Sequence, residues 1–147
     1  MEISLSGYAN DYVCKGMAGG KVTVAPPASD LAQPQRQVGF SMVGNTVLYG
    51  ATGGSLWVAG RGGERFAVRN SGALGVVEGL GDHGAEYMTA GTILCLGNVG
   101  RYVGDSLLSS LLFLLSTRCL TLSLPLSSSS QELWRGNDRW ARLHRRR

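Results

Sequence analysis

Cysteine is scarce in this chain of 147 residues, and its placement excludes more than its number does. Cys14, Cys95 and Cys119 form an odd set with no C-x-x-C spacing. That argues against a disulfide framework, a structural zinc site or a cysteine-held iron–sulfur cluster, and it fits a reduced compartment. Proline occurs four times, and Pro26, Pro27 and Pro34 sit in one short stretch. Proline cannot donate to a strand ladder, so residues 25–43 read as a loop insertion. No apolar run is long enough to cross a membrane. Residues 106–117 are uncharged and leucine-rich, but Arg118 ends them, whereas a spanning helix wants about 20 residues. A span over 106–131 would bury Arg118 near its centre at about 2.5–3.5 kcal/mol. The start, MEISLSGYAND, has neither a basic region nor an apolar run, so no signal peptide is expected.

Excess charge is absent from most of the chain. Residues 1–130 hold eight basic and eight acidic side chains, while residues 131–147 hold six arginines against Glu132 and Asp138. The formal charge of +4 therefore belongs to the last segment, and it says nothing about the body. That segment, with Trp134 and Trp140 among its arginines, has the makings of a nucleic-acid or anionic-lipid contact. A charged, disordered tail is the plainer reading, so neither a nucleic acid nor a membrane is expected as partner.

What the chain has is glycine. Of 22 glycines, 21 lie at or before Gly104. From Gly44 to Gly100, short apolar runs are cut at regular intervals. Gly54 leads into Leu56-Trp57-Val58, Gly72 into Leu74 to Val77, and Gly91 into Ile93 to Leu96, at spacings of 18 and 19. Gly20 before Val22-Thr23-Val24 joins the series if 25–43 loops out. A fixed period near 20 indicates a repeat architecture. Runs of three to five residues are too short for helices and suit strands. Glycine supplies positive-φ corners, and Asn10, Asn45, Asn70 and Asn98 fall at places where asparagine would tolerate the same region. The expectation is an all-β parallel solenoid over residues 1–104, then a Leu/Ser-rich segment 105–130 and a basic tail 131–147.

The runs NDYVCKGMAGGK (Asn10 to Lys21), GNTVLYGATGG (Gly44 to Gly54), GERFAVRNSGA (Gly63 to Ala73) and VVEGLGDHGAEYMTAG (Val76 to Gly91) carry a family resemblance. Over residues 3–102 the chain resembles the C-terminal glycine-repeat (GXGXG) domain of the glutamate synthase large chain. A subunit of formylmethanofuran dehydrogenase has a related domain, but the GDHGAEYMTAG run is nearer to glutamate synthase. The resemblance implies a right-handed parallel β-helix. It also implies a parent that makes glutamate from glutamine and 2-oxoglutarate, using an N-terminal cysteine nucleophile in one domain and FMN with an iron–sulfur cluster in another. Three positions depart from the family: Tyr8 stands for an acidic residue, Cys14 for a glycine and Ala85 for a cysteine. After Gly100-Arg101 the family continues with another glycine-rich coil, and this chain does not, so the segment reads as shortened at both ends.

Other motifs tempt a sharper reading. Gly79-Leu80-Gly81-Asp82-His83-Gly84 is a literal G-x-G-x-x-G, but a dinucleotide fingerprint needs a long helix after it, and only Ala85 to Ala90 separate Gly84 from Gly91. Gly16 to Lys21 (GMAGGK) imitates a phosphate loop with a misplaced first glycine and Val22 in place of the magnesium-binding hydroxyl. Asp82, His83 and Glu86 have metal-ligand or acid–base chemistry if they converge. Arg61, Arg65 and Arg69 with Glu64 and Glu78 suggest exposed ladders or a docking edge. The leucines at 107, 108, 111, 112 and 115 fit a short amphipathic helix over the open solenoid end.

The resulting expectation is a non-catalytic structural domain of a glutamate synthase, inactive alone, with no catalytic, cofactor-binding or metal-binding residue of its own. FMN and the iron–sulfur cluster would lie in other domains of the parent, and those domains are its expected partners. The GNTVLYGATGG run leans toward the ferredoxin type of enzyme rather than the nicotinamide type, and the setting would be cytoplasm or plastid stroma. A stand-alone binding protein using the solenoid face or the basic tail is the alternative, and a nucleotide-binding enzyme a weaker one.

Overall fold

A computed structural model describes residues 1–31, 40–105 and 111–114. Six strands form one parallel sheet in chain order: β1 (Glu2–Ser6), β2 (Ala18–Ala25), β3 (Gly53–Arg61), β4 (Ser71–Gly79), β5 (Ala90–Cys95) and β6 (Leu111–Leu114). Parallel neighbours in unbroken sequence order mean that each strand starts a new coil of a solenoid. The only helix among the described residues is α1 (Ala28–Leu31), in the loop after β2. There the Tyr8 hydroxyl donates to the Asp30 carboxylate and ties the first coil to that loop.

The side of each coil opposite the sheet is a corner segment of unusual backbone. Positive φ recurs at every second residue: Tyr12, Cys14 and Gly16; Thr46, Leu48 and Gly50; Arg65, Ala67 and Arg69; His83, Ala85 and Tyr87; Tyr102 and Gly104. The corners stack by hydrogen bonds that alternate in direction. Thr46 N–H donates to Glu64 C=O (2.9 Å), Arg65 N–H to Asp82 C=O (2.9 Å) and His83 N–H to Arg101 C=O (2.8 Å) in the next coil. Ala67 N–H donates back to Val47 C=O (2.7 Å) and Ala85 N–H back to Phe66 C=O (2.6 Å). A left-handed non-glycine residue costs roughly 1–2 kcal/mol, so eleven of them persist only because this ladder and the burial beneath it offset the strain.

Four expectations are corrected here. Left-handed backbone is not carried by Asn10, Asn45, Asn70 or Asn98, none of which has positive φ; tyrosine, leucine, arginine and alanine carry it, because the stacking fixes the backbone whatever the side chain. The glycine series is broken by a bulge: Ser55 pairs with Leu74, which sets Gly54 opposite Ala73, while Ser71 pairs with Ala90 and Leu74 with Thr92, so Gly72 and Ala73 together face Gly91. The leucine segment is not helical where it is described, since Leu111–Leu114 pairs with β5 as a parallel strand. The open edge of β5 offers unpaired backbone groups, and satisfying them outweighs the helical spacing of the leucines. The remainder of 106–116 and the tail lie outside the described residues. The loop is also narrower than 25–43, because Ala25 closes β2 opposite Ser6, while Met42 and Val43 are buried.

The core lies between sheet and corners. Leu56, Val58, Val77, Ile93 and Cys95 point in from the strands, and Val47, Leu48, Phe66, Ala67 and Ala85 from the corners. Asn70 is the buried polar residue among them. Its Oδ1 accepts from Ala73 N–H (2.9 Å) and Gly72 N–H (3.3 Å), and its Nδ2 donates to Ala73 C=O (2.9 Å). The side chain thereby replaces the hydrogen bonds that Ala73 would otherwise lack as the chain swings into β4. Asn70→Leu keeps the volume but orphans those groups, and should cost about 3 kcal/mol. A urea midpoint close to that of the native chain would count against this role.

Candidate functional site

The polar side chains of the corners are organised as a column. Each coil places a glycine followed by a polar residue at the same height: Gly44-Asn45, Gly63-Glu64, Gly81-Asp82 and Gly100-Arg101, at spacings of 19, 18 and 19. The side chain of one coil accepts the backbone N–H of the next. Asp11 Oδ1 takes Asn45 N–H (2.7 Å), Asn45 Oδ1 takes Glu64 N–H (2.9 Å) and Asp82 Oδ1 takes Arg101 N–H (2.7 Å). The sequence reading missed this column, although the period-19 recurrence of Gly-polar pairs was a usable signal.

The column decides what Asp82, His83 and Glu86 can do. Asp82 turns to the next coil, where its Oδ2 also accepts from Arg101 Nε (3.3 Å) and Nη2 (3.2 Å). His83 Nδ1 meets Glu86 Oε1 at 2.5 Å, and its ring stacks on Tyr102 with centroids 5.2 Å apart. The three residues are therefore split between two jobs: Asp82 clamps one coil to the next, and Glu86 orients His83 against Tyr102. Among the described residues no group of three His, Cys, Asp or Glu side chains comes together as a metal-ligand set.

The backbone N–H of Arg101 holds the Asp82 carboxyl below the usual carboxylate range; the Arg101 guanidinium and His83 add to this against a smaller opposing effect of burial. A depressed carboxylate stabilises the fold above its unfolded pKa, and that stability is lost as pH falls through the folded value. Asp82→Asn should accordingly be less stable than the native chain at neutral pH, with the gap closing in acid. Paired thermal melts across pH would disprove this if the gap stayed constant.

Neither glycine motif is followed directly by a helix among the described residues. After Gly84 the chain makes a turn and enters β5, with no helix to face a pyrophosphate, and Ala18 to Lys21 of the GMAGGK run already lie within β2. Gly81 lies against backbone: a Cβ there would sit 2.9 Å from Glu64 N and from Gly63 C and O. Arg65 and Arg69 both adopt positive φ, and their backbone N–H groups donate to the backbone C=O of Asp82 and Glu86 in the next coil, so the backbone of both positions belongs to the corner ladder. Cys14 and Cys95 are free thiols. Burial pushes both up from the ordinary range, for Cys95 against opposing effects of the Gly97 backbone and Arg61. Raised thiols are poor nucleophiles. Cys119 lies outside the described residues, as do Trp134, Trp140 and the terminal arginines.

A second feature lies on the outer face of the sheet. Trp57 and Val76 are buried there, with Ala59, Leu74, Leu94 and Leu96 packed around them. Among the described residues the buried Trp57 indole N–H has no acceptor. No helix among the described residues is long and apolar enough to cross a membrane.

The family model described as GXGXG motif matches residues 1–120. The chain is 52% identical over 115 residues to a ferredoxin-dependent glutamate synthase of Pyropia yezoensis, covering 78% of this chain and 7% of that protein. It is 55% identical over 115 residues to chloroplastic ferredoxin-dependent glutamate synthase 2 of Arabidopsis thaliana, with the same coverage of 78% and 7%. It is 50% identical over 99 residues to a glutamate synthase [NADH] of Schizosaccharomyces pombe, covering 67% of this chain and 4% of that protein. The chain thus spans less than a tenth of the length of these relatives.

Proposed function

The chain belongs to the GXGXG-motif family, in the form found in glutamate synthases, and from that premise we propose that it is a non-catalytic scaffold of such an enzyme. Its role would be to hold the glutamine-hydrolysing and FMN-bearing domains of the parent in fixed relation, so that ammonia released in one reaches the other. The observation that carries this reading is how the corner residues are used. Asp82 clamps Arg101, Glu86 orients His83, and Asp11 and Asn45 bond backbone N–H groups of the following coil. A stiff column of this kind suits positioning. FMN and the iron–sulfur cluster belong, on this reading, to other domains, with ferredoxin as the donor type and cytoplasm or plastid stroma as the setting.

The test has two arms. The purified chain alone should show no flavin spectrum and no glutamine-dependent reduction of 2-oxoglutarate. Exchanging residues 1–105 for the corresponding segment of a ferredoxin-dependent glutamate synthase should retain coupled turnover, while deleting that segment should lower it. Turnover by the isolated chain, or full activity after deletion, would refute the scaffold reading.

A further inference from the structure

No further inference is drawn: the strongest candidate, the apolar patch that Trp57 and Val76 form on the outer face of the sheet, is itself buried, and nothing among the described residues shows what covers it.

Discussion

Gly81→Val is expected to destabilise the fold by roughly 2–4 kcal/mol, combining overpacking with the loss of one coil-to-coil hydrogen bond. Gly81 has no positive φ, so backbone freedom is not why it is glycine. The reason is contact. A Cβ at this position would lie 2.9 Å from three backbone atoms of the preceding coil, and the Gly81 N–H bonds Gly63 C=O at 3.1 Å. Backbone cannot swing aside as a long side chain can. The coils would have to part, and the Asp82 clamp above and the Glu64 ladder below would part with them. Two further glycines separate this cause from conformational strain. Gly50 has φ of 61° and nothing near its would-be Cβ, so Gly50→Ala should cost about 1 kcal/mol. Gly19 has neither constraint, and Gly19→Ala should be close to neutral. Urea unfolding of the three variants should rank them in that order. Equal losses at all three would mean that glycine content, not coil spacing, sets stability.

The same glycines mark how much of the molecule was legible. Period, strand content and family all followed from the recurrence of glycine before short apolar runs, because a stacked coil imposes its repeat on the chain. The register did not follow. Gly72 precedes Leu74-Gly75-Val76-Val77 much as Gly54 precedes Leu56-Trp57-Val58, and the bulge that sets both Gly72 and Ala73 against Gly91 emerges only from the strand pairing and from Asn70, which accepts the N–H of each. Nor could the sequence disclose left-handed backbone at Tyr12, Leu48 or Arg65, since no residue preference points there; it arises from the hydrogen bonding between coils. One clue was present and unread. The resemblance implies a glycine where this chain has Cys14, whose φ is 58°, a backbone region that favours a residue without a Cβ. The polar corner was legible as residues but not as roles: Asp82, His83 and Glu86 lie close in sequence, and only the next coil's Arg101 and Tyr102 decide which way each one turns. The strand at Leu111–Leu114 was hidden for a similar reason, because its partner is the open edge of β5.

Phe66→Ala should cost about 3–5 kcal/mol, the usual range for removing a fully buried phenylalanine. Phe66 is wholly buried and is the largest of the fully buried side chains. It projects from a corner across the interior into space that the sheet leaves for it. In β4, Gly75 occupies the inward position between Leu56 and Ile93 in the neighbouring strands. A Cβ on Gly75 would come within 3.1 Å of Phe66 Cε1, 3.0 Å of Leu48 Cδ1 and 2.9 Å of Ile93 Cδ1. Gly62, at the turn into the same corner, is as close, with Phe66 Cδ2 only 2.8 Å from its would-be Cβ. The sheet's missing side chain and the corner's large one are therefore two halves of one packing unit. Gly75→Val alone should also destabilise, by overpacking against side chains that can shift in part, at about 1–3 kcal/mol. The two changes should not add. With Phe66 reduced to alanine, valine at 75 enters the cavity, and the double variant should be at least 1 kcal/mol more stable than the sum of the single losses predicts. Chemical denaturation of the four chains measures this coupling directly. Simple additivity would mean that the ring and the glycine are neighbours by accident and that the core closes over each change independently.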